Sequence, residues 1–170
     1  MLSLPHSFIH QRTQLLHPRH KLSLRNKIFY MPFDPTPFLN AQDRVWSAVT
    51  QELTQGRKTS HWMWFVFPQL RGLGKSAEAE KYGLAGIEEA QAFWNHDILG
   101  PRLHTLLQIL LDSKKIQPIE IFGFTDSRKF SSCLTLFTLV DNSNDQLFKK
   151  CLDKFYAGRT DDLTLTLLAK

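Results

Sequence analysis

The chain has 170 residues and a formal net charge of +5 at neutral pH. That length suits one hydrophobic core of ordinary domain size rather than two. Thirteen phenylalanines and four tryptophans, with only eight glycines and eight prolines, exclude disorder along the whole chain. No apolar run approaches the roughly 18 to 20 residues that cross a bilayer, so we expect a soluble protein without a membrane segment.

The excess positive charge lies at the front of the chain. Residues 1–30 hold five of the 21 basic residues and none of the 16 acidic ones, which leaves 16 of each sign in the remainder. Residues 31–170 therefore have no net charge and no bulk attraction to phosphates, which is the main source of non-specific nucleic-acid affinity. Nucleic acid is therefore not an expected partner.

Residues 1–30 differ in composition from the rest of the chain, and two explanations stay open. A basic, acid-poor segment is typical of a targeting peptide. The simpler explanation is a disordered extension or a mis-assigned start, because a segment typical of the opening of a helical domain comes directly after Met31. Four of the seven histidines lie here, but their irregular spacing predicts no metal site. We expect residues 31–170 to form a single helical domain.

The two cysteines, Cys133 and Cys151, stand among apolar residues at helical spacing and are expected to be buried. No CxxC pair or zinc-type spacing of Cys and His occurs, so we expect no metal centre. The absence of a disulfide framework favours a reducing, cytoplasmic location.

Apolar residues that recur every three to four positions predict a mainly helical chain. The segment 61–67 is apolar on every side and could be helix or strand. We therefore expect an all-α fold, a single irregular bundle of about six to eight helices, with 64–67 and 119–122 as the only strand candidates. The predicted helices span about 39–55, 76–82, 86–94, 101–112, 126–140, 147–157 and 163–168, with a short turn at 118–122.

The segment 56–69 concentrates polar groups that are costly to bury without partners. They are Ser60, His61, Gln69 and the indole N–H groups of Trp62 and Trp64. One interpretation is a core histidine in a satisfied polar network. The other is a ligand pocket walled by the two tryptophans, with His61 and Gln69 as its polar contacts.

A glycine-rich turn lies at residues 72–76. Gly72 and Gly74 precede a predicted helix start, where backbone N–H groups and the helix dipole attract anions and Lys75 adds charge. The turn lacks the spacing of a P-loop, and such glycines often serve only to reverse the chain.

Hydroxyl and charged residues also crowd residues 124–132. Asp126 is a candidate helix cap, and Lys129 is a candidate ligand contact. Ser131 and Ser132 lie inside the predicted helix, where serine needs a hydrogen-bonding or packing reason. If the protein catalyses a reaction, His61 or Asp126 would act as the acid or base.

Three sequence blocks carry a family resemblance. They are RKTSHWMWFVFPQLRGLGKSAEAEKYG, AFWNHDILGPRL and IFGFTDSRKFSSCLTLF. In this order they resemble the bacterial domain-of-unknown-function family numbered 1810, over residues 34–168. The last block is more often SSMTLF in that family, so Cys133 occupies a methionine position and is not a needed thiol. The resemblance implies a small helical cytosolic protein that begins near Met31, and it implies no activity.

Two functional hypotheses are compatible with the sequence. The first is a pocket for a small phosphorylated or nucleotide-like ligand, lined by the SHWMWF and FTDSRKFSS segments. The second is a non-catalytic protein-interaction module with a polar-networked core. A cavity that joins His61, Gln69 and Lys129 would favour the first, and separate burial of each would favour the second. No motif identifies a cofactor.

Overall fold

The computed structural model describes residues 33–170, which form eight helices and no strand. A single parallel bridge joins Leu70 to Leu84. The all-α prediction is confirmed over these residues. The helices are α1 (Thr36–Thr54), α2 (Met63–Val66), α3 (Ala77–Tyr82), α4 (Ile87–Trp94), α5 (Leu99–Asp112), α6 (Pro118–Thr138), α7 (Leu147–Tyr156) and α8 (Asp162–Leu168).

Local sequence signals account for several helix starts. Ser76 caps α3, because its hydroxyl accepts a hydrogen bond from the backbone N–H of Ala79 at 3.1 Å. Asp161 caps α8 in the same way through Thr164. A proline in the first turn suits α1, which begins three residues before the predicted start.

Neither strand candidate forms a strand. Residues 63–66 form the four-residue helix α2, and residues 119–122 lie in the first part of α6. A kink at Gly123, with φ 73° and ψ 174°, divides α6 into two helical segments. Only glycine adopts that backbone conformation readily, so Gly123 fixes the direction of the second segment.

The core of this part of the chain is rich in aromatic rings and centres on the second segment of α6. Phe130 lies between Phe67 and Phe155, with ring centroids 5.0 and 6.0 Å away. Phe137 stacks on Phe148 of α7 at 5.3 Å. Edge and offset contacts of this kind add to the hydrophobic burial itself. α6 therefore packs against α4, α7 and α8.

Two features position α5, a set of hydrogen bonds at its end and a close backbone approach at its start. Lys154 of α7 donates hydrogen bonds to the carbonyl oxygens of Leu110 at 3.0 Å, Leu111 at 2.7 Å and Ser113, which lie at the end of α5. Gly100, at the start of α5, lies so close to the Trp94 carbonyl that a Cβ would overlap its oxygen.

Both cysteines are fully buried, Cys133 in α6 and Cys151 in α7, as the sequence predicts. Burial raises the pKa of Cys151 to about 12 and raises that of Cys133 well above its ordinary value. Both thiols are therefore protonated at neutral pH.

The expectations for residues 1–30 concern a segment that lies outside the described residues. Residues 33–170 belong to one compact unit. Within residues 33–170, no helix combines the length and the apolar character needed to cross a membrane.

Candidate functional site

A cleft of about 270 Å³ opens between α6, α8 and the turn that precedes α3. We call it the α6 cleft. Six of its lining side chains are polar or charged and three are apolar, so the cleft offers mainly polar contacts to a ligand. Its lining residues are Gln69, Leu73, Gly74, Phe124, Thr125, Arg128, Lys129, Ser132, Asp161 and Leu163.

Backbone hydrogen bonds hold Gln69 at the floor of the cleft. The carbonyl of Gln69 accepts from the Leu84 N–H at 3.0 Å, and the Arg71 N–H donates to the Leu84 carbonyl at 2.8 Å. Gly74 lies above the Gln69 amide, where a Cβ would come within 3.6 Å of Gln69 Nε2 and 2.6 Å of the Ala79 Cβ. Glycine at position 74 therefore lets this turn pack closely against Ala79 of α3.

The side-chain amide of Gln69 has no hydrogen-bond partner among residues 33–170, although the residue is only 8% exposed. No fully buried polar atom in this part of the chain lacks a partner, so the amide reaches the surface of the cleft. A nearly buried amide of this kind favours an external partner, either water or a ligand group.

Lys129 lies beside Gln69 and is held by two contacts. Its Nζ donates to Asp126 Oδ1 at 2.8 Å and lies 4.4 Å from the centre of the Trp64 ring. An ammonium group has three N–H donors and Asp126 accepts from one of them, so Lys129 can also donate to a ligand.

Asp126 also pairs with Lys58, whose Nζ lies 2.6 Å from Asp126 Oδ2. Burial opposes ionisation of Asp126, but its hydrogen bonds to Lys129 and Lys58 outweigh burial and lower its pKa. Asp126 is therefore a carboxylate that positions Lys129. The prediction that it caps a helix is not met, because its oxygens accept from lysines.

The remaining polar groups come from α6 and the start of α8. Ser132 donates to Asp161 Oδ2 at 3.1 Å, and the Asp161 N–H donates to Thr135 Oγ1 at 2.8 Å. These bonds explain why a serine lies inside α6 and fasten α8 to it. Arg128 is exposed and has no ion-pair partner within residues 33–170.

Ser60 and Trp62 lie away from the cleft, in a network around Glu52. The Glu52 carboxylate accepts hydrogen bonds from Trp62 Nε1 at 2.9 Å and from the Ser60 hydroxyl at 2.6 Å, together with the backbone N–H groups of Thr59 and Ser60. Burial raises the pKa of Glu52, but these four donors outweigh burial and lower it to about 2. Trp62 is fully buried, so it belongs to the core and forms no wall of the cleft.

His61 and Trp64 line a separate depression of about 480 Å³ with Glu78, Lys81 and Tyr82. His61 is exposed and is not a core histidine. A gap of about 10 Å³ beneath Trp64 also reaches Gln69 and Lys129. The structure thus joins Gln69 and Lys129 in one cleft and places His61 outside it.

The other predicted contacts do not line the α6 cleft. Gly72 and Lys75 are exposed on the turn, and Ser131 is half-buried on α6. The start of α3 is occupied by the Ser76 side chain, and α3 has only six residues, so an anion site there is not supported. Of the predicted contacts, only Gln69, Gly74, Lys129 and Ser132 line the cleft.

Several residues that line the α6 cleft were not predicted as ligand contacts from the sequence. Phe124, Thr125 and Arg128 belong to the polar segment 124–132. Whether they line a cleft depends on their solvent exposure, which the sequence does not show. For Asp161 and Leu163 the sequence offers one signal, because the spacing of Asp161 and Thr164 is typical of a helix cap and predicts a helix start there. Within residues 33–170, no three His, Cys, Asp or Glu side chains meet in a way that could hold a metal ion.

The fold and the cleft define a small helical protein, and a solved structure is similar over most of the chain. It is the conserved hypothetical protein Rv1873 from Mycobacterium tuberculosis, which is 46% identical, with a TM-score of 0.78. The match covers 82% of this chain and 99% of that one. No curated protein matches the sequence.

The family described as "Protein of unknown function (DUF1810)" matches residues 32–168. The chain therefore belongs to that family, as the three sequence blocks predict. The family description assigns no activity.

Proposed function

We propose that the α6 cleft binds a small phosphate-bearing molecule, a phosphorylated or nucleotide-like metabolite. The observation that carries the proposal is the Gln69 amide, which is nearly buried, lacks a partner among residues 33–170 and faces the cleft beside Lys129. An amide and an ammonium group that converge on one cavity are suitable donors for phosphate oxygens.

The charges near the cleft favour an anion. The cleft is lined by two basic residues, Arg128 and Lys129, and one acidic residue, Asp161. The charge of Asp126 is balanced by Lys58, so the net charge at the cleft is positive. Asp126 holds Lys129 in place, and Arg128 supplies a planar guanidinium that suits phosphate geometry.

Asp161 suits the neutral part of such a ligand. Its Oδ2 accepts all three hydrogen bonds that its carboxylate receives within residues 33–170, from Ser132 and from both donors of Thr164. Oδ1 is therefore available to a donor. A sugar hydroxyl is a donor, and it avoids the repulsion that a second anionic group would meet there.

The proposal is binding, and it assigns no reaction. Asp126 is engaged by two lysines, and His61 lies outside the cleft, so neither is placed as an acid or base toward a ligand there.

A thermal-shift titration of the full chain tests the proposal, with ribose 5-phosphate, AMP and inorganic phosphate as probes. A ligand at 100 times its Kd adds about 2.7 kcal/mol to stability, which is easily measured as a rise in Tm. Gln69→Leu and Lys129→Met should remove the rise, whereas Lys75→Met, an exposed lysine outside the cleft, should retain it. The proposal is refuted if no probe raises Tm, or if the two cleft variants respond like wild type. That outcome would favour the protein-interaction module.

A further inference from the structure

We infer that the ligand of the α6 cleft is a mononucleotide whose base stacks on Phe124. This inference rests on the proposed function, because it assigns the phosphate to the Gln69, Arg128 and Lys129 donors. It adds a place for a flat aromatic ring.

Phe124 differs from the other phenylalanines of the described region. Of the eleven phenylalanines in residues 33–170, ten pack against another aromatic ring, and Phe124 makes no such contact there. Its side chain is 68% exposed, although it lines the cleft.

The backbone holds Phe124 in this position. It follows the kink at Gly123, where the second segment of α6 begins, and its carbonyl accepts a hydrogen bond from the Ser127 hydroxyl at 2.8 Å. Arg128 and Lys129 lie one helical turn further along the same segment. One rigid element therefore presents both the ring and the cations.

Leu163 of α8 supplies a second apolar surface on the same cleft. It is 58% exposed, and the bonds of Asp161 to Ser132 and Thr135 hold the start of α8 against α6. Phe124 and Leu163 offer apolar contact to a ring, while the polar groups take the phosphate. Stacking on an aromatic side chain tolerates any base, so no particular base is assigned.

The size of the cleft limits the ligand. The volume of about 270 Å³ lies just below the range of about 300 to 1,000 Å³ that is usual for ligand sites. We therefore assign a mononucleotide rather than a larger dinucleotide cofactor.

The test compares AMP with ribose 5-phosphate, which keeps the sugar and the phosphate but lacks the base. Isothermal titration of the full chain should give an AMP affinity about fivefold to a hundredfold higher than that of ribose 5-phosphate. Phe124→Ala should lower AMP affinity to that of ribose 5-phosphate and leave ribose 5-phosphate binding unchanged. Phe124→Tyr, which keeps the ring, should retain AMP affinity, and so should Ile119→Ala, a control at an exposed apolar residue that does not line the cleft.

Equal binding of the two probes to wild type would overturn the inference and leave the proposed function intact. Unchanged AMP affinity in Phe124→Ala would also overturn it, because the base would then contact another surface. Failure of both probes to bind would refute the proposed function as well.

Discussion

Replacement of Glu52 by glutamine isolates the contribution of one buried charge to the stability of the fold. Glutamine has nearly the same shape, and its side-chain oxygen can still accept the three N–H hydrogen bonds that Glu52 Oε2 accepts. Its amide nitrogen can donate to the Ser60 hydroxyl in place of Oε1. The variant therefore keeps the network and removes its charge.

The magnitude is set by the pKa of Glu52. Its carboxyl falls from an ordinary pKa of 4.5 to about 2 in the folded chain, which corresponds to roughly 3 kcal/mol of stability at neutral pH. We expect Glu52→Gln to lower the free energy of unfolding at pH 7 by about 2 to 3 kcal/mol, because neutral hydrogen bonds remain.

The pH dependence gives a second test. Because the folded pKa is depressed, the stabilisation is complete above about pH 4.5 and is lost as the pH falls toward 2. Roughly 2 kcal/mol of the difference between wild type and Glu52→Gln should therefore disappear between pH 7 and pH 3. The variant itself should lack this part of the acid sensitivity.

Urea denaturation followed by tryptophan fluorescence measures both effects, since Trp62 is a partner of Glu52. Glu88→Gln, at an exposed residue in the first turn of α4, is the matched control and should change stability by no more than about 0.5 kcal/mol. The reasoning is refuted if Glu52→Gln is as stable as wild type at pH 7, or if their difference is the same at pH 7 and pH 3.

Three other substitutions test separate features of the fold and the cleft. Lys154→Met should lower the free energy of unfolding, measured by urea denaturation, by about 2 kcal/mol, because three carbonyls at the end of α5 lose a charged donor. Lys150→Met, at an exposed lysine, is the control. Equal stability of the two variants would contradict this role of Lys154. Gly100→Ala should cost about 3 kcal/mol through overlap with a backbone carbonyl, and a change below 1 kcal/mol would show that the contact relaxes. Gly74→Ala should weaken AMP binding, because its Cβ would lie 2.6 Å from the Ala79 Cβ and would shift the turn that lines the cleft, and a wild-type Kd would exclude that effect.

The fold is predictable where the signal is local. The Ser76 cap and the helix-forming residues after it are adjacent in sequence, and α3 begins directly after this predicted cap. Segment 61–67 is different, because residues that are apolar on every side show no period. Its helical form depends on tertiary packing, in which Met63, Phe65 and Val66 are buried among other elements.

The candidate site is predictable only in part. Gln69 and Lys129 stand out because they are polar groups beside apolar runs, and both line the cleft. Glu52 gives no such signal, since its partners lie seven to ten residues later in the chain. The separation of His61 from the cleft also depends on how α2 is oriented against α6, which no local pattern specifies.

Because both cysteines are buried, their reactivity can report transient separation of α6 and α7. Cys133 and Cys151 lie on the two helices that pack at the centre of the fold, and thiol reagents attack only accessible thiolates. The rate of labelling therefore reports how often α6 and α7 separate, residue by residue and without denaturant. A bound ligand that reduces this opening would slow the labelling, even though it contacts neither sulfur.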